Sequence, residues 1–337
     1  MMLKLVTIPL FLFISSSFGK IENEQYKPII IQKEIISDKK FRFKTIIIHD
    51  TTLLIGGISG IENGKSQMYK YLMNDTLDVG IRIYQGFPNS CIRYFSRDKN
   101  NTISAFENTN ENTNIISINS DRLNSKTLNY NIRSLTFDNQ NCIAVKSVDR
   151  DDLLSIFKDS SFSFEPIQKL ISLKSLHEPS LLTCNNKLYF IGSFKSNNSQ
   201  DLRLIEFNLL NDQYFTKSIS SFKGDFLFIK QINDEPTLIT WDDEKIIFYN
   251  LMTRKKYFLS FKKQDYIAIK DISMLNQKYY INAIRQEGGS NRYDILVSND
   301  NSGNWHLKYT SVLINAQFIW DNNFYILEKD RYLTEIK

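Results

Sequence analysis

The side chains best suited to metal binding or proton transfer are few in this sequence and widely separated. The three histidines are His49, His177 and His306, and no His-x-x-His or Asp-x-Asp-x-Asp spacing accompanies them. The stretch "GGISG" at Gly56 follows a strand-like run, but no helix-like run comes after it, so it does not predict a phosphate-binding loop. The Gly-x-Ser-x-Gly pattern of a nucleophile elbow does not occur. The sequence therefore predicts neither a metal centre nor a cofactor.

Aromatic and arginine side chains in polar loops indicate binding rather than catalysis. Tyr84 and Phe87 lie in "YQGFPNS", Trp241 begins "WDDEK", and Arg285 begins "RQEGGSNRY". Because these residue types are frequent anchors of protein interfaces, we predict a protein partner, with a glycan as the alternative ligand. Pro88 stiffens the first loop. In a second interpretation, the rings of Tyr84 and Phe87 pack beneath their loop as a small satellite core.

The composition is that of a folded chain with a preference for strands. Of the 337 residues, 42% are hydrophobic and 23% are charged, which is enough apolar surface for a packed core. The aromatic fraction is 13%, with 24 Phe and 17 Tyr, residue types that favour β-strands. The formal net charge of +5 is dispersed along the chain, so we predict no nucleic-acid partner.

The N-terminus has the pattern of a secretory signal peptide. A lysine near the start supplies a positive charge, residues 5–14 form an apolar run, and Ser17 and Gly19 occupy the small-x-small positions of a cleavage site. We expect cleavage near Gly19, so that residues 1–19 are a signal peptide and residues 20–337 form one secreted or periplasmic domain. An uncleaved anchor is the alternative. No later apolar run approaches the ~18 residues that a membrane span needs.

The three cysteines, Cys91, Cys142 and Cys184, match no zinc-binding spacing. An oxidising compartment would allow one disulfide among them and leave one thiol free. Cys142 and Cys184 fall in strand-like runs, where a buried free cysteine is the commoner outcome. Whether any two of the three are bonded stays open at this point.

A repeated pattern, in which two apolar runs flank a polar loop, organises the chain. Copies of the pattern begin at Gln67, Ile115, Leu153, Leu202, Lys245 and Tyr293. Each copy is preceded by a second hairpin, and most of these turns contain Asn or Asp, which tolerate the left-handed backbone conformation of tight turns. A period of about 40–50 residues with four short strands in each unit predicts a β-propeller.

The hairpins give six full blades and one incomplete blade at the C-terminus. The runs "AQFIWD", "NFYILEK" and "RYLTEIK" supply three strands of that blade, and the N-terminal "KPIIIQKEIISD" can supply the fourth. We therefore predict an all-β fold, a single propeller of seven four-stranded blades in which the N-terminal strand closes the last blade. Six blades is the alternative, if "NTISAF" belongs to an insertion.

The stretch "SNDNSGNW" joins the third and fourth strands of one unit. Its Ser298, Asp300 and Trp305 match the spacing of the Asp-box, roughly Ser-x-Asp-x-Gly-x-Thr-Trp, and "KDSSFSF" places Asp159 and Phe164 at the same offsets. The chain thus resembles a degenerate member of the Asp-box (BNR-repeat) sialidase-like β-propeller superfamily. In such boxes the Asp accepts hydrogen bonds from the loop backbone and the aromatic ring packs between sheets, so these residues are predicted to be structural.

The resemblance implies one enzymatic alternative. Sialidases bind the carboxylate of their substrate with three arginines, for which Arg42, Arg285 and Arg292 are the candidates here, and Glu62 is the candidate proton donor. This sequence departs from the family's Arg-Ile-Pro motif, because Phe43-Lys44 follows Arg42 where the family has Ile-Pro. The sequence does not contain a full set of sialidase catalytic residues. In a second interpretation, the three arginines are solvated charges at the ends of strands.

The favoured function is therefore a secreted or periplasmic, non-enzymatic binding propeller. Its most specific form is an immunity-type protein that binds and neutralises a bacterial toxin or effector, by analogy of architecture and composition. The alternative is a sialidase-like or other exo-glycosidase that acts on glycans.

Overall fold

A computed structural model describes most of the chain that follows the predicted signal peptide. The described residues are 30–60, 63–73, 79–97, 102–119, 122–129, 131–137, 141–148, 151–158, 163–166, 175–176, 182–195, 200–211, 213–262, 265–298 and 304–337. Residues 1–19, Glu62, Asp159 and Asp300 lie outside these ranges. Only the backbone is described for Cys142 and Phe164.

The described strands form seven antiparallel sheets. The first strand, β1 (Ile30–Glu34), belongs to sheet 7. Sheet 1 contains β2 (Phe41–His49), β3 (Thr52–Ser59), β4 (Lys65–Leu72) and β5 (Ile81–Pro88). Sheet 2 contains β6 (Cys91–Arg97), β7 (Ile103–Asn108), β8 (Thr113–Asn119) and β9 (Arg122–Leu128). Sheet 3 contains β10 (Asn131–Phe137), β11 (Asn141–Val148), β12 (Asp151–Lys158) and β13 (Ser163–Pro166). The run "NTISAF", which the six-blade alternative assigned to an insertion, overlaps β7.

The first strand of sheet 4 is split into two short pieces that both pair with the second strand. Sheet 4 contains β14 (Ser175–Leu176), β15 (Leu182–Cys184), β16 (Lys187–Lys195), β17 (Gln200–Asn208) and β18 (Tyr214–Ser218), followed by a 3₁₀ turn at Ile219–Ser221. Sheet 5 contains β19 (Asp225–Ile232), β20 (Glu235–Trp241), β21 (Lys245–Asn250) and β22 (Lys256–Ser260). Sheet 6 contains β23 (Ala268–Leu275), β24 (Lys278–Glu287), β25 (Ser290–Ser298) and β26 (His306–Ser311). Sheet 7 contains β27 (Ile314–Trp320), β28 (Asn323–Glu328), β29 (Tyr332–Ile336) and β1.

Two-residue turns rich in Asn and Asp join the first and second strands of four sheets. Both residues have positive φ in Asn185-Asn186, Asn233-Asp234, Asn276-Gln277 and Asp321-Asn322. Such pairs form the hairpin turns whose twist matches the right-handed twist of the flanking strands, and Asn and Asp adopt positive φ at little cost. The predicted turn chemistry is confirmed at these four positions.

Contacts between sheets follow chain order and close a ring. Strand β2 contacts β6, β6 contacts β10, β10 contacts β15, and β15 contacts β19. Beyond these, β19 contacts β23, β23 contacts β27, and β27 contacts β2. The first strands of the sheets therefore surround a central axis. This is the architecture of a single β-propeller with four-stranded blades.

The N-terminal strand closes the ring. Strand β1 pairs antiparallel with β29, from Ile30 opposite Ile336 to Glu34 opposite Tyr332. Arg331 donates from Nη1 to Glu34 Oε1 at 2.5 Å, which adds a charged contact beside the backbone pairing. The predicted role of the N-terminal run as the outer strand of the last sheet is confirmed.

Large apolar cores lie between neighbouring sheets. One core, between sheets 7 and 1, also takes in the segment that follows β1, and its most deeply buried members are Ile35, Ile36, Phe41, Leu53, Ile55 and Leu327. A second core joins sheets 5 and 6 through Ile239, Ile246, Phe248, Ile272, Ile281 and Ala283. Burial of a side chain of this size contributes about 1.5–3 kcal/mol to folding, so the faces of the sheets hold the ring together.

We expect the chain to lose stability when β1 is removed. A chain that begins at residue 35 lacks the β1–β29 pairing, whereas a chain that begins at residue 30 retains it. The shorter chain should lose about 2–3 kcal/mol, because each hydrogen bond contributes about 1 kcal/mol, and its Tm should fall by roughly 4–8 °C relative to the longer chain. Equal Tm values for the two chains by differential scanning calorimetry would show that β1 does not stabilise the sheet.

Candidate protein-binding face

The candidate residues lie at one end of the ring, which we call the upper face. It is formed by the connections from the fourth strand of one sheet to the first strand of the next, and by the connections between second and third strands. Phe87 lies near the end of β5, Trp241 ends β20, and Arg285 lies near the end of β24. Residues that the sequence analysis selected as binding candidates thus come from several sheets and lie at the same end of the ring.

Exposed apolar side chains lie on three connections of the upper face. Phe87 is 64% exposed at the junction of sheets 1 and 2. Ile267 precedes β23 and Val312 precedes β27, and both are exposed. Such side chains remain in contact with water in the folded chain. Their apolar surface can be buried further only by contact with another molecule. We call these three residues the apolar rim.

Tyr84 differs from Phe87 because it is half-buried. Tyr84 lies on β5 and is paired with Met68 of β4. The sequence interpretation had assigned no partner strand to this segment. The ring packs with Met68 and Ile92, and its hydroxyl donates to Glu107 Oε2 at 3.0 Å. Burial raises the pKa of Tyr84 well above its usual range, and the Glu107 carboxylate adds to that effect. The satellite-core interpretation therefore describes Tyr84, whereas the ring of Phe87 is exposed.

A fully buried carboxylate, Glu107, fixes the loop that carries Phe87. Its donors are Ser66 Oγ, Tyr84 OH, Phe87 N at 3.3 Å, Ser90 Oγ at 2.6 Å and Asn114 Nδ2 at 2.8 Å. These donors come from sheets 1 and 2 and from the connection between them. At Gly86, a Cβ atom would overlap Glu107 Oε1 and Ser66 Oγ, so only glycine fits beside the carboxylate. The exposed ring of Phe87 is thus held on a rigid support.

Glu328 repeats this arrangement at the junction of sheets 6 and 7. Its donors are Gln32 Nε2 at 2.5 Å, Tyr309 OH at 2.6 Å, Ser311 Oγ and Thr334 Oγ1 at 2.7 Å. In both clusters the serine precedes the glutamate by 17 residues, from Ser90 to Glu107 and from Ser311 to Glu328. This repeated spacing is present in the sequence and was missed by the motif analysis.

Trp241 is only 2% exposed. Its Nε1 donates to the carbonyl oxygen of Phe261 at 3.2 Å, and the two rings lie 5.8 Å apart. A side chain so deeply buried cannot contact a partner, because the neighbouring sheet already covers both its ring and its polar atom. This removes Trp241 from the predicted binding residues.

Arg285 is held by a buried carboxylate. Its Nε lies 2.7 Å from Asp294 Oδ2, and Asp294, which is almost fully buried, also accepts from Thr310 Oγ1 at 2.7 Å. The hydrogen bond to Asp294 raises the pKa of Arg285. Arg285 and Arg292 lie opposite each other on β24 and β25, and both approach Glu287 Oε2, at 3.3 and 3.4 Å. The guanidinium groups of Arg285 and Arg292 are thus paired with carboxylates of the chain itself.

Arg42 lies elsewhere on the upper face. Its Nη1 is 3.6 Å from Asp330 Oδ2 of sheet 7, and 55% of its side chain is exposed. Among the described residues, no contact joins Arg42 to Arg285 or Arg292, and Glu62 lies outside the described ranges. Each of the three arginines of the sialidase alternative thus lies beside a carboxylate of the chain itself, and the alternative stays a prediction.

The Asp-box-like turn lies at the other end of β25 from Arg292. Ser298 is fully buried, and Trp305 donates from Nε1 to the carbonyl oxygen of Ser260 at 2.7 Å. The ring of Trp305 packs edge-on against Phe261, with ring centroids 5.3 Å apart. Trp305 thus links the turn to the outer strand of sheet 5, which is a structural contact.

Other functional groups are described only in part. Cys91 and Cys184 are free thiols, and burial raises the pKa of both. Within the described ranges, no three His, Cys, Asp or Glu side chains are grouped so as to hold a metal ion. The same part of the chain contains no helix that is long and apolar enough to cross a bilayer.

Comparisons with known proteins identify the fold but not a family. No protein-family model and no curated protein matches the chain. The β-propeller domain of the Trilobed protease from Pyrococcus furiosus is similar, with a TM-score of 0.57, 12% identity, and coverage of 88% of this chain and 95% of that domain. YCF48, in a structure with D1 peptide bound, gives a TM-score of 0.58 at 9% identity, with 92% and 94% of the two chains covered. A chain of the mitotic checkpoint complex gives 0.58 at 9% identity, with 99% of each chain covered. Identities this low support the propeller fold alone.

The different environments of Tyr84 and Phe87 predict different effects of mutation. Tyr84→Phe should lower the free energy of unfolding by about 1–2 kcal/mol, because buried Glu107 loses a donor. Phe87→Ala should change it by less than about 0.5 kcal/mol, because the ring is exposed. Urea unfolding measures both values. Equal losses in the two variants would place both rings in the core.

The two buried tyrosine–glutamate contacts predict a loss of stability at alkaline pH. Burial and the adjacent glutamate raise the pKa of Tyr84 and of Tyr309 above the usual value of 10.0. The folded state then holds these protons more tightly than the unfolded state, so the stabilisation is complete below about pH 10 and decreases as the pH rises further. The double variant Tyr84→Phe/Tyr309→Phe should show a shallower decrease than the wild type in urea unfolding between about pH 9 and pH 11. Parallel curves for the two proteins would contradict the assignment.

Proposed function

We propose that this propeller is a non-enzymatic binding protein that contacts a protein partner through its upper face. The observation that carries this proposal is the apolar rim. Phe87, Ile267 and Val312 lie on three different connections at one end of the ring, and each remains exposed in the folded chain. Interfaces concentrate their affinity in a few large side chains, and anchors that are fixed before binding lose little entropy on association.

The rigid support of Phe87 strengthens this proposal. Its backbone N–H donates to Glu107, whose other donors come from two sheets and the connection between them. The backbone that carries the Phe87 ring is therefore held in place, and the ring itself is exposed. Arg285, held by Asp294 and Glu287 on the same face, can add a charged contact at the margin of the interface.

The proposed location is outside the cytoplasm, with residues 1–19 removed and residues 20–337 forming the binding domain. The N-terminal apolar run and the small residues at Ser17 and Gly19 support this assignment. The same proposal in its most specific form is an immunity protein whose partner is a bacterial toxin or effector. Co-expression that restores growth to cells producing a periplasmic toxin of the same strain would support that form.

A site-specific crosslinking experiment tests the upper face. A photoreactive amino acid replaces Phe87 in one protein and Leu210, which is exposed between β17 and β18 at the other end of the ring, in another. Each protein is expressed in its source cells and irradiated. We expect a discrete, saturable adduct from position 87 and none from position 210, because the proposed interface includes the first position and excludes the second.

Matched surface variants complete this experiment. Ile267→Ser with Val312→Ser should remove the adduct from position 87, because the rim loses two of its three apolar contacts. Leu72→Ser with Met252→Ser removes the same kind of exposed side chain at the other end of the ring and should leave the adduct unchanged. An adduct that survives the first pair, or one that forms equally at position 210, would refute the proposed face.

The enzymatic alternative has a direct test. The purified protein should not hydrolyse a fluorogenic sialoside, because the candidate arginines are paired with carboxylates of the chain itself. Turnover that depends on protein concentration and is lost in Arg42→Ala would reverse the order of the two functions.

A further inference from the structure

A β-bulge recurs at the same place in the propeller. In six of the seven sheets, the pairing between the first and second strands skips one residue of the first strand, close to its upper end. The skipped residues are Lys44, Arg93, Arg133, Leu227, Lys270 and Asn315. A bulge leaves one residue unpaired and redirects its side chain, so its position in each sheet determines what that strand presents.

The skipped positions are rich in positive charge. Lys and Arg make up 42 of the 337 residues, yet they occupy four of these six positions. The four positions belong to sheets 1, 2, 3 and 6. Basic residue types therefore recur at one level of the first strands.

The architecture leaves the side chains of Lys44, Arg93 and Lys270 only two routes to solvent, along the central axis of the ring or at its upper face. A first strand has its own sheet on one side and a neighbouring sheet against each of its faces, so an exposed side chain on it can reach solvent along the central axis or at the upper face. Lys44, Arg93 and Lys270 are all exposed. Lys44 of sheet 1 and Arg93 of sheet 2 act together on the thiol of Cys91, where their charges oppose the increase in pKa caused by burial. Strands β2 and β6, which carry Lys44 and Arg93, are in contact, so these two cations lie on adjacent sheets.

Lys44, Arg93 and Lys270 differ from other basic residues of the upper face. Arg42 pairs with Asp330, and Arg285 pairs with Asp294. Among the residues that the structure describes, no carboxylate forms an ion pair with Lys44, Arg93 or Lys270. Unpaired charges of one sign around a concave opening produce a potential that attracts the opposite charge.

We propose that the mouth of the central channel binds an acidic, extended segment of the partner protein. This inference rests on the proposed function and names the chemistry of the partner. The described cations Lys44, Arg93 and Lys270 belong to sheets 1, 2 and 6, and this distribution suits several carboxylates along a peptide better than a single small anion. The apolar rim lies on the same face. A partner segment with acidic residues at its centre and apolar residues beside them would therefore contact both the cations and the apolar rim.

Peptide binding tests the inference without the natural partner. The probe is a fluorescein-labelled peptide of about ten residues with alternating Glu and Gly, up to ~35 Å long when extended, and the control peptide has Gln in place of Glu. Fluorescence anisotropy should detect binding of the Glu peptide and not of the Gln peptide. Affinity should fall as salt rises from ~0.01 M to ~0.1 M, which shortens the Debye length from about 30 Å to about 10 Å.

Two triple variants separate a local site from a general effect of net charge. Lys44→Gln/Arg93→Gln/Lys270→Gln should weaken binding of the Glu peptide at least tenfold. The control Lys255→Gln/Lys256→Gln/Lys278→Gln removes three exposed positive charges away from the channel mouth and should keep the affinity within twofold. Unchanged melting temperatures would verify that both variants fold. Modification of Cys91 by a neutral maleimide should also slow when the Glu peptide is bound.

The possible outcomes are distinct from those of the crosslinking experiment. Equal losses in the two triple variants, or no binding of the Glu peptide at low salt, would overturn the acidic-segment site. A single-stranded oligonucleotide that binds more tightly than the Glu peptide and loses affinity in the first variant would also overturn it. If the rim variants abolish the crosslink at position 87 while the first triple variant retains it, the proposed function stands and the acidic segment does not.

Discussion

Each sheet of this propeller has two apolar faces, and neither face can remain in water without a large loss of stability. Each sheet therefore needs a neighbour on both sides, and an open row of sheets would leave two faces exposed. The ring satisfies this requirement only when sheet 7 meets sheet 1, as it does where β27 contacts β2. The core that includes Ile35, Phe41 and Leu327 forms at this junction, and it depends on the pairing of β1 with β29.

Buried carboxylates add directional contacts to this apolar framework. Glu107 and Glu328 lie at two junctions between sheets, and donors from both sheets surround each of them. A buried charge is costly unless hydrogen bonds satisfy it, so each cluster is stable only when the two sheets are correctly placed. The carboxylates therefore fix the relative position of neighbouring sheets more strictly than apolar packing does. The connections of the upper face inherit that rigidity.

Local features of the fold could be predicted from the sequence, whereas features that join two sheets could not. The turn at Asn233-Asp234 is encoded within a few residues, and the N-terminal run was assigned because it had no other strand to pair with. The burial of Trp241 depends on Phe261 of the following connection, and that of Tyr84 depends on Glu107 of the next sheet. Their residue types are typical of interfaces, so composition alone favoured an exposed environment for Trp241 and left both environments open for Tyr84.

The bulges were also beyond the sequence analysis, because a bulge is a property of the register between two strands. Lys44 and Arg93 appear in the sequence as ordinary charges among apolar residues, and the dispersed net charge of +5 gave no sign of a local cluster. The Ser-to-Glu spacing of 17 residues was visible in the sequence, but its meaning requires the knowledge that the two residues meet across a junction. In each case the missing information was which strands are neighbours.

The pairing of Ile30 with Ile336 also sets an order of events during synthesis. Strand β1 is made before the other strands of the propeller, and its partner β29 is made after them. During translation β1 therefore has an unpaired edge until synthesis reaches β29, and such an edge can pair with other chains. The pairing that closes the finished ring thus leaves the growing chain with an open strand for most of its synthesis.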